Sequence, residues 1–364
     1  MKSVSTILSI LLILIITISF TGVFIYFLYS FKQGNIFISD GICYFISKNY
    51  ISIKLSANYN GNDVRKEDLN IFIRDKISGN NFNPLAYEIF KGYDCNKFSV
   101  GFDSCNVTSD IITSGENLGI QIISSTSSQQ IDVFIGVKGN KPSVFSLTCF
   151  SSLIIDMPFD EGSGNIAYDY SGNNNNGNIY NAIWTTGITN KALLFNGRDS
   201  YVYVPTLEPL STYPAKSISF SVWIYSYGTP QGNFQYDWQK IQQVFEGHTS
   251  TWEIFAEGII PGYFLFLITD GSGNRRITST TLEANKWYFI VGTYDSYSQK
   301  LYVNGELKSE LDWQGDFQIN SGAITIGKDF EGNIQYFNGI IDNFKLFSTA
   351  LNSFEINFLY NSKI

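Results

Sequence analysis

Imidazole is almost absent from this chain: one histidine, His248, stands among 364 residues. Ser-His-Asp and Cys-His catalysis and multi-histidine zinc centres each need an imidazole in a suitable place, so hydrolytic chemistry here would have to run on carboxylates or a hard metal. Positive charge is scarce as well. Lys and Arg number 24 against 32 Asp and Glu, the net charge is −8, and no basic run exceeds a doublet such as Arg65-Lys66. That lacks the basic footprint through which proteins hold nucleic acid, and no nucleic-acid partner is expected. Charged residues make up 15% of the chain, fewer than the 16% that are aromatic, and 44% is apolar. Such a composition is the opposite of a disordered chain's and can fill sizeable cores. Cysteine is limited to four, with no Cys-x-x-Cys pair, which argues against zinc or thioredoxin-type chemistry.

What is present begins with one long apolar run. Ser3–Phe31, 29 residues between Lys2 and Lys32, carries no charge. As a helix it would extend about 43 Å against a hydrocarbon core of about 30 Å, longer than the apolar region of a cleaved signal peptide. Residues 1–32 are therefore expected to form a retained membrane helix, with Tyr26 and Tyr29 at the interface and the bulk of the chain outside the cell membrane. The start Lys2-Ser3-Val4-Ser5-Thr6-Ile7-Leu8 resembles the N-terminus of archaeal type IV pilins. The resemblance implies cleavage close to Lys2 and assembly with other pilin-like subunits in a surface filament. Thr6 stands where those pilins often carry Pro, and no acidic residue follows the cleavage point. An ordinary single-pass anchor accounts for the same segment, and both readings stay open.

Residues 33–150 read as short strands. Tyr50–Ser56 alternates with period two before the Asn60-Gly61 turn signal, and Leu69–Arg74 and Ile131–Val137 are short and rich in β-branched residues. A small membrane-proximal β-sandwich is expected. All four cysteines fall here, and disulfides are the better reading of them. Of three possible connectivities the favoured one closes a hairpin with Cys95–Cys105 and ties first strand to last with Cys43–Cys149, which implies an extracytoplasmic location. Asn106-Val107-Thr108 is an N-glycosylation sequon.

From Ser151 onward, strands are punctuated by Asn176-Gly177, Asn196-Gly197, Asn304-Gly305 and Asn338-Gly339, each a candidate tight turn. Ser217–Tyr225 alternates so that Ile218, Phe220, Val222 and Ile224 form a core face. Near the C-terminus Asn352 and Glu355 form a candidate capping box, opening a helix with Phe354, Phe358 and Leu359 on its buried side. The whole predicts a mainly β chain: N-terminal membrane helix, small disulfide-bonded sandwich, and a large two-sheet jelly roll over residues 151–364.

Successive blocks in this region carry a family resemblance: Met157–Gly164, Asp169–Asn173 through Gly177, Ala192–Gly197, Asp199–Val202, Lys286–Tyr288 with Gly292–Asp295, Leu301–Gly305, and Phe337–Phe347. Seven in register are similar to laminin-G-like, concanavalin A-like jelly-roll domains. The resemblance implies a fold used for carbohydrate or protein binding, often with a structural calcium ion, and one that also hosts glucanases.

Three chemistries follow. Trp252–Glu257 resembles the Glu-x-Asp-x-(x)-Glu strand of retaining laminarinase-type glucanases, with Glu253 and Glu257 on one face and about 13 Å between their Cα atoms. Retaining chemistry wants carboxyl groups about 5 Å apart, and the intervening Asp is Phe255 here, so the strand is read as non-catalytic. Calcium needs converging oxygens, and Asp169, Asn173, Asp199 and Asp342 in Gly/Asn-rich loops are the candidate ligands, with turn-forming as the alternative role. Glycan recognition would use loop aromatics and nearby acids: Tyr236, Trp238, Glu253 and Trp313 are the candidates, although Tyr236 and Trp238 could equally cap the sandwich edge. His248 reads as a surface-loop residue. These features combine into a surface adhesin that is not an enzyme, anchored in the membrane or built into a filament, binding surface glycans or proteins. The alternatives are a purely structural filament subunit and, further off, a glycoside hydrolase.

Overall fold

The computed structural model describes residues 35–91, 106–107, 111–113, 115, 117–126, 129–205, 207, 217–228, 242–248, 253–259, 263–269, 274–315, 322–330 and 335–364. The expected membrane helix, the pair Cys95 and Cys105, and Tyr236 and Trp238 lie outside the described residues. Among those described, no helix is long and apolar enough to cross a membrane. They divide into two compact units, one within Met1–Cys43 and Ile51–Cys149, the other within Tyr44–Tyr50 and Phe150–Ile364.

In the first unit one hydrogen-bonded path of nine strands runs in the spatial order β5 (Asn81–Phe82), β4 (Leu69–Asp75), β10 (Gln130–Val137), β11 (Ser143–Ser151), β1 (Asn35–Ser47), β2 (Tyr50–Asn60), β9 (Asn117–Ser125), β6 (Ala86–Lys91) and β7 (Asn106–Val107). A separate ladder pairs β3 (Val64–Arg65) with β8 (Ile111–Ile112). A small β-sandwich, two sheets face to face, was expected. The long β1 and β2 join them, because β1 also pairs with β11 and β2 with β9. Alternation works as anticipated: Ile73, Ile131, Val133 and Ile135 are fully buried, while Phe72 and Phe134, cross-strand partners on the other face, stack at 4.3 Å. Cys43 and Cys149 are disulfide-bonded, as expected. Asn106 of the sequon lies in β7, opposite Lys91.

The second unit stacks two eight-stranded sheets. The first has the order β15 (Ile183–Thr186), β16 (Lys191–Asn196), β27 (Asn338–Phe347), β18 (Ile218–Ser226), β23 (Trp287–Tyr294), β24 (Ser298–Val303), β25 (Glu306–Asp312), with β12 (Leu153–Met157) also paired to β27. The other has the order β13 (Ile166–Ala167), β14 (Gly177–Tyr180), β17 (Tyr201–Val204), β26 (Ala323–Ile326), β19 (Gln242–His248), β20 (Glu253–Ile259), β21 (Tyr263–Thr269), β22 (Arg275–Thr281). Ile218, Phe220, Val222 and Ile224 all enter the core. Phe220 meets Phe245 of β19 at 4.7 Å and Phe266 of β21 at 5.2 Å, and this aromatic contact locks sheet to sheet. Gly292 makes room for it, since a Cβ there would lie 2.3 Å from the Phe220 ring. Each such side chain contributes about 1.5–3 kcal/mol of burial.

The back of β18 is buried too, which alternation does not anticipate. Ser219, Ser221 and Trp223 are at most 4% exposed, because the C-terminal segment covers them. Ser219 Oγ accepts from the Leu351 amide and donates to the Thr349 carbonyl, and Trp223 stacks on Tyr360 of the helix α1 (Ser353–Ser362). On the same sheet Asp156 and Lys345 form an ion pair with both side chains 2% exposed. Asp156 also accepts weaker bonds from Ser47 Oγ and the Lys48 amide. The capping box of α1 is present, Asn352 and Glu355 each bonding the other's backbone amide. Its buried residues are Glu355, Ile356 and Leu359, whereas Phe354 and Phe358 are half-buried. Glu355 is drawn inside because it accepts the Tyr44 hydroxyl as well as the cap amide.

Of the four Asn-Gly signals, Asn304-Gly305 is a hairpin turn with φ of 53° and 84°, and Asn196-Gly197 turns after β16. Gly177 and Gly339 instead lie inside strands, and at Gly339 the Tyr225 carbonyl passes 2.1 Å from where a Cβ would be. His248 ends β19, paired with Glu253 and Ala323, so its loop assignment is corrected.

Candidate functional site

β17 reads Tyr-Val-Tyr-Val, and alternation sends Val202 and Val204 into the core while Tyr201 and Tyr203 stand half-buried on the opposite face. The neighbouring β14 reads Gly-Asn-Ile-Tyr with the same phase, which leaves Asn178 and Tyr180 exposed. The antiparallel register sets Tyr180 directly opposite Tyr201 and Asn178 opposite Tyr203. Directly opposed residues stand about 5 Å apart, so the two phenol rings stack, with centroids 4.6 Å apart and planes 13° from parallel.

The row continues through Tyr203, Thr325 and Glu246. There the chain after β26 folds over the face. Thr325 Oγ1 donates to the Lys328 carbonyl at 2.9 Å, and the Phe330 amide donates to Glu246 Oε2 at 2.7 Å. This crossing brings the Lys328 ammonium 4.8 Å from the centre of the Tyr201 ring. Burial, then the neighbouring Tyr180 and Tyr203, push the Tyr201 hydroxyl up from its ordinary value. Burial, then Tyr201 and Asp199, do the same to Tyr336. Both phenols thus stay protonated at neutral pH and remain donors. The adjoining turn is stiff: Asn196 Oδ1 accepts from the Arg198 and Asp199 amides and from Ser200 Oγ, while its Nδ2 donates to Asp199 Oδ1 at 2.7 Å. The result is a platform of flat apolar surface bordered by hydroxyls, an amide and one cation. That combination suits a ligand with apolar faces and a polar rim, as a sugar ring has.

The residues singled out from sequence fall elsewhere. Trp313 is 7% exposed and belongs to the core cluster, stacked on Tyr294 at 4.2 Å with Nε1 donating to Gln299 Oε1. It is therefore no exposed platform: the hairpin β24–β25 that precedes it folds back to place it beside its partners. Glu253 of β20 pairs with His248 and Thr269, and Phe255 pairs with Glu246 and Leu267.

The four candidate calcium ligands do not form one site. The Asp169 carboxylate accepts from the amides of Asp156, Ser171 and Asn175 and from Ser171 Oγ, so it organises its own loop. Asn173 spends its amide donors on the Leu153 and Ile154 carbonyls. Asp199 belongs to the Asn196 turn. Asp342 is fully buried in β27, where Oδ2 accepts from the Ile188 amide and Oδ1 has no partner among the described residues. Burial first, and Asp160 to a lesser degree, push its carboxyl up to about 7. Among the described residues no three His, Cys, Asp or Glu side chains gather as a metal site. Tyr180, Tyr201, Tyr203, Lys328 and Tyr336 were missed from sequence; the Tyr-Val-Tyr-Val alternation of β17 was the signal that could have found Tyr201 and Tyr203.

Residues 196–357 match the laminin-G-type family model described as the concanavalin A-like lectin/glucanases superfamily. The match lies within the second unit; Tyr201, Tyr203, Lys328 and Tyr336 fall inside it and Tyr180 precedes it. No curated protein matches the chain. Among solved structures, the binding domain of botulinum neurotoxin serotype C1 is 19% identical over 58% of this chain and 52% of its own, with a TM-score of 0.43. The serotype G binding domain is 18% identical over 58% and 51%, with a TM-score of 0.47. The binding domain of serotype DC, solved with rat synaptotagmin II, is 17% identical over 58% and 51%, with a TM-score of 0.44. The chain spans about half the length of these structures.

Proposed function

We propose that the second unit is a non-catalytic binding module that presents the β14–β17 tyrosine face to a carbohydrate, or to a protein carrying one, as part of a cell-surface adhesin. The stacked Tyr180–Tyr201 pair carries this reading, since two parallel phenols half-open to solvent have more use as a recognition surface than as packing. The family match supports it, because that superfamily contains lectins. The glucanase half of the same description finds less support, because Phe255 occupies the central acidic position of the glucanase strand. The apolar stretch Ser3–Phe31 supports attachment to the cell membrane, or packing in a pilin-like filament, with the remainder outside. One platform of this size binds weakly. Display of many copies on one surface raises avidity by about 10²–10⁴ without any new contact.

The test is a glycan array probed with the full chain, in calcium and in chelator, with Tyr180→Ala as control. Binding that falls at least tenfold in the variant is expected. A blank array would point to a structural role, and binding untouched by the substitution would move the site off the tyrosine face.

A further inference from the structure

Lys328 is 9% exposed, yet no carboxylate pairs with it among the described residues. The stem of a lysine packs readily against its surroundings while its ammonium keeps contact with water, which leaves the charge open to a ligand. Its one described partner is the face of Tyr201. Tyr201 keeps its proton and stacks in turn on Tyr180, so the ammonium adjoins the stacked pair. The platform therefore carries a cation with no ion-pair partner among the described residues, on a protein whose net charge is −8. A neutral sugar would use the rings and leave the ammonium uncompensated; an acidic one would use both.

Building on the glycan-binding reading above, we infer that the platform selects acidic sugars: a ring of the glycan packs on Tyr180 and Tyr201 while its anionic substituent meets Lys328 and the phenol hydroxyls. A carboxylate and a sulfate ester share this chemistry.

The test measures binding of the full chain to oligosaccharides bearing uronic or sialic acid, to sulfated oligosaccharides, and to the same sugars with the carboxyl reduced or the sulfate removed. At least a tenfold preference for the acidic members is expected, and the preferred arm identifies the anion. Lys328→Met should abolish the preference, Lys328→Arg should keep most of it, and Tyr180→Ala should weaken acidic and neutral ligands alike. The wild-type comparison needs no variant, so a misfolded Lys328→Met cannot shield the inference. Equal binding of acidic and neutral sugars, still lost in Tyr180→Ala, would overturn the acid preference and leave the binding module standing. No binding of either class would overturn both.

Discussion

The two units are both β and reach coherence by different means. The first is a single nine-stranded path whose adjacent central strands β1 and β11 are cross-linked by a disulfide across 106 residues. The second has no cysteine; it interleaves two sheets through rings such as Phe220, Phe245, Phe266 and Phe344, and sets a charged pair and an unpaired acid inside its outer layer. The difference teaches that a cross-link constrains the unfolded chain where layered packing is thin, whereas a thick core tolerates buried charge.

Cutting the disulfide breaks the comparison hardest. Loop closure over this length is worth roughly 4–5 kcal/mol, so Cys43→Ser with Cys149→Ser should move the denaturation midpoint of the first unit down steeply. Tryptophan fluorescence of the described indoles, Trp184, Trp223, Trp287 and Trp313, all in the second unit, should change little. A shared shift of both signals would refute the division of labour. Next in size is Lys345→Met, which strands Asp156 and should cost about 3–5 kcal/mol in the second unit alone, while replacing both partners by apolar residues should recover most of it. A loss no greater than that of an exposed pair such as Lys286–Glu283 would show that water reaches Asp156.

The smallest effect is one of pH. An unfolded aspartate releases its proton near pH 4, whereas folded Asp342 holds it to about 7. In that window the native state binds the extra proton, so the stability contribution is complete below pH 4 and is lost as pH rises through 7. Midpoints of the second unit measured from pH 5 to 8 should decline, and Asp342→Asn should flatten the decline. A profile identical in the variant would place the titration elsewhere.

Much of this was legible in the sequence where the cause is local. Period-two alternation located β4, β10 and the core side of β18, and the Asn352/Glu355 spacing announced the helix cap. The partner of Cys43 was also anticipated. What stayed hidden depends on residues far apart along the chain. The burial of Glu355 needs Tyr44, 311 positions away, and that of Lys345 needs Asp156, 189 positions away. Trp313 looked like a loop aromatic because nothing nearby in sequence announces its stack on Tyr294. The proposed binding face was half legible: Tyr201 and Tyr203 stand in a plain alternation, but Lys328 arrives there only through the turn after β26.

Residues 44–50 have a consequence for how such proteins arise. They belong to the second unit, supplying the Tyr44 hydroxyl to Glu355, the Lys48 ammonium to the ring of Tyr170, and Tyr50 to Phe358. A gene segment starting at codon 151 would carry the jelly roll without these seven residues. The domain is therefore no portable cassette: recombination that moved it to a new host would have to bring the earlier hairpin along or find substitutes for it, and lineages that keep this arrangement inherit both parts together.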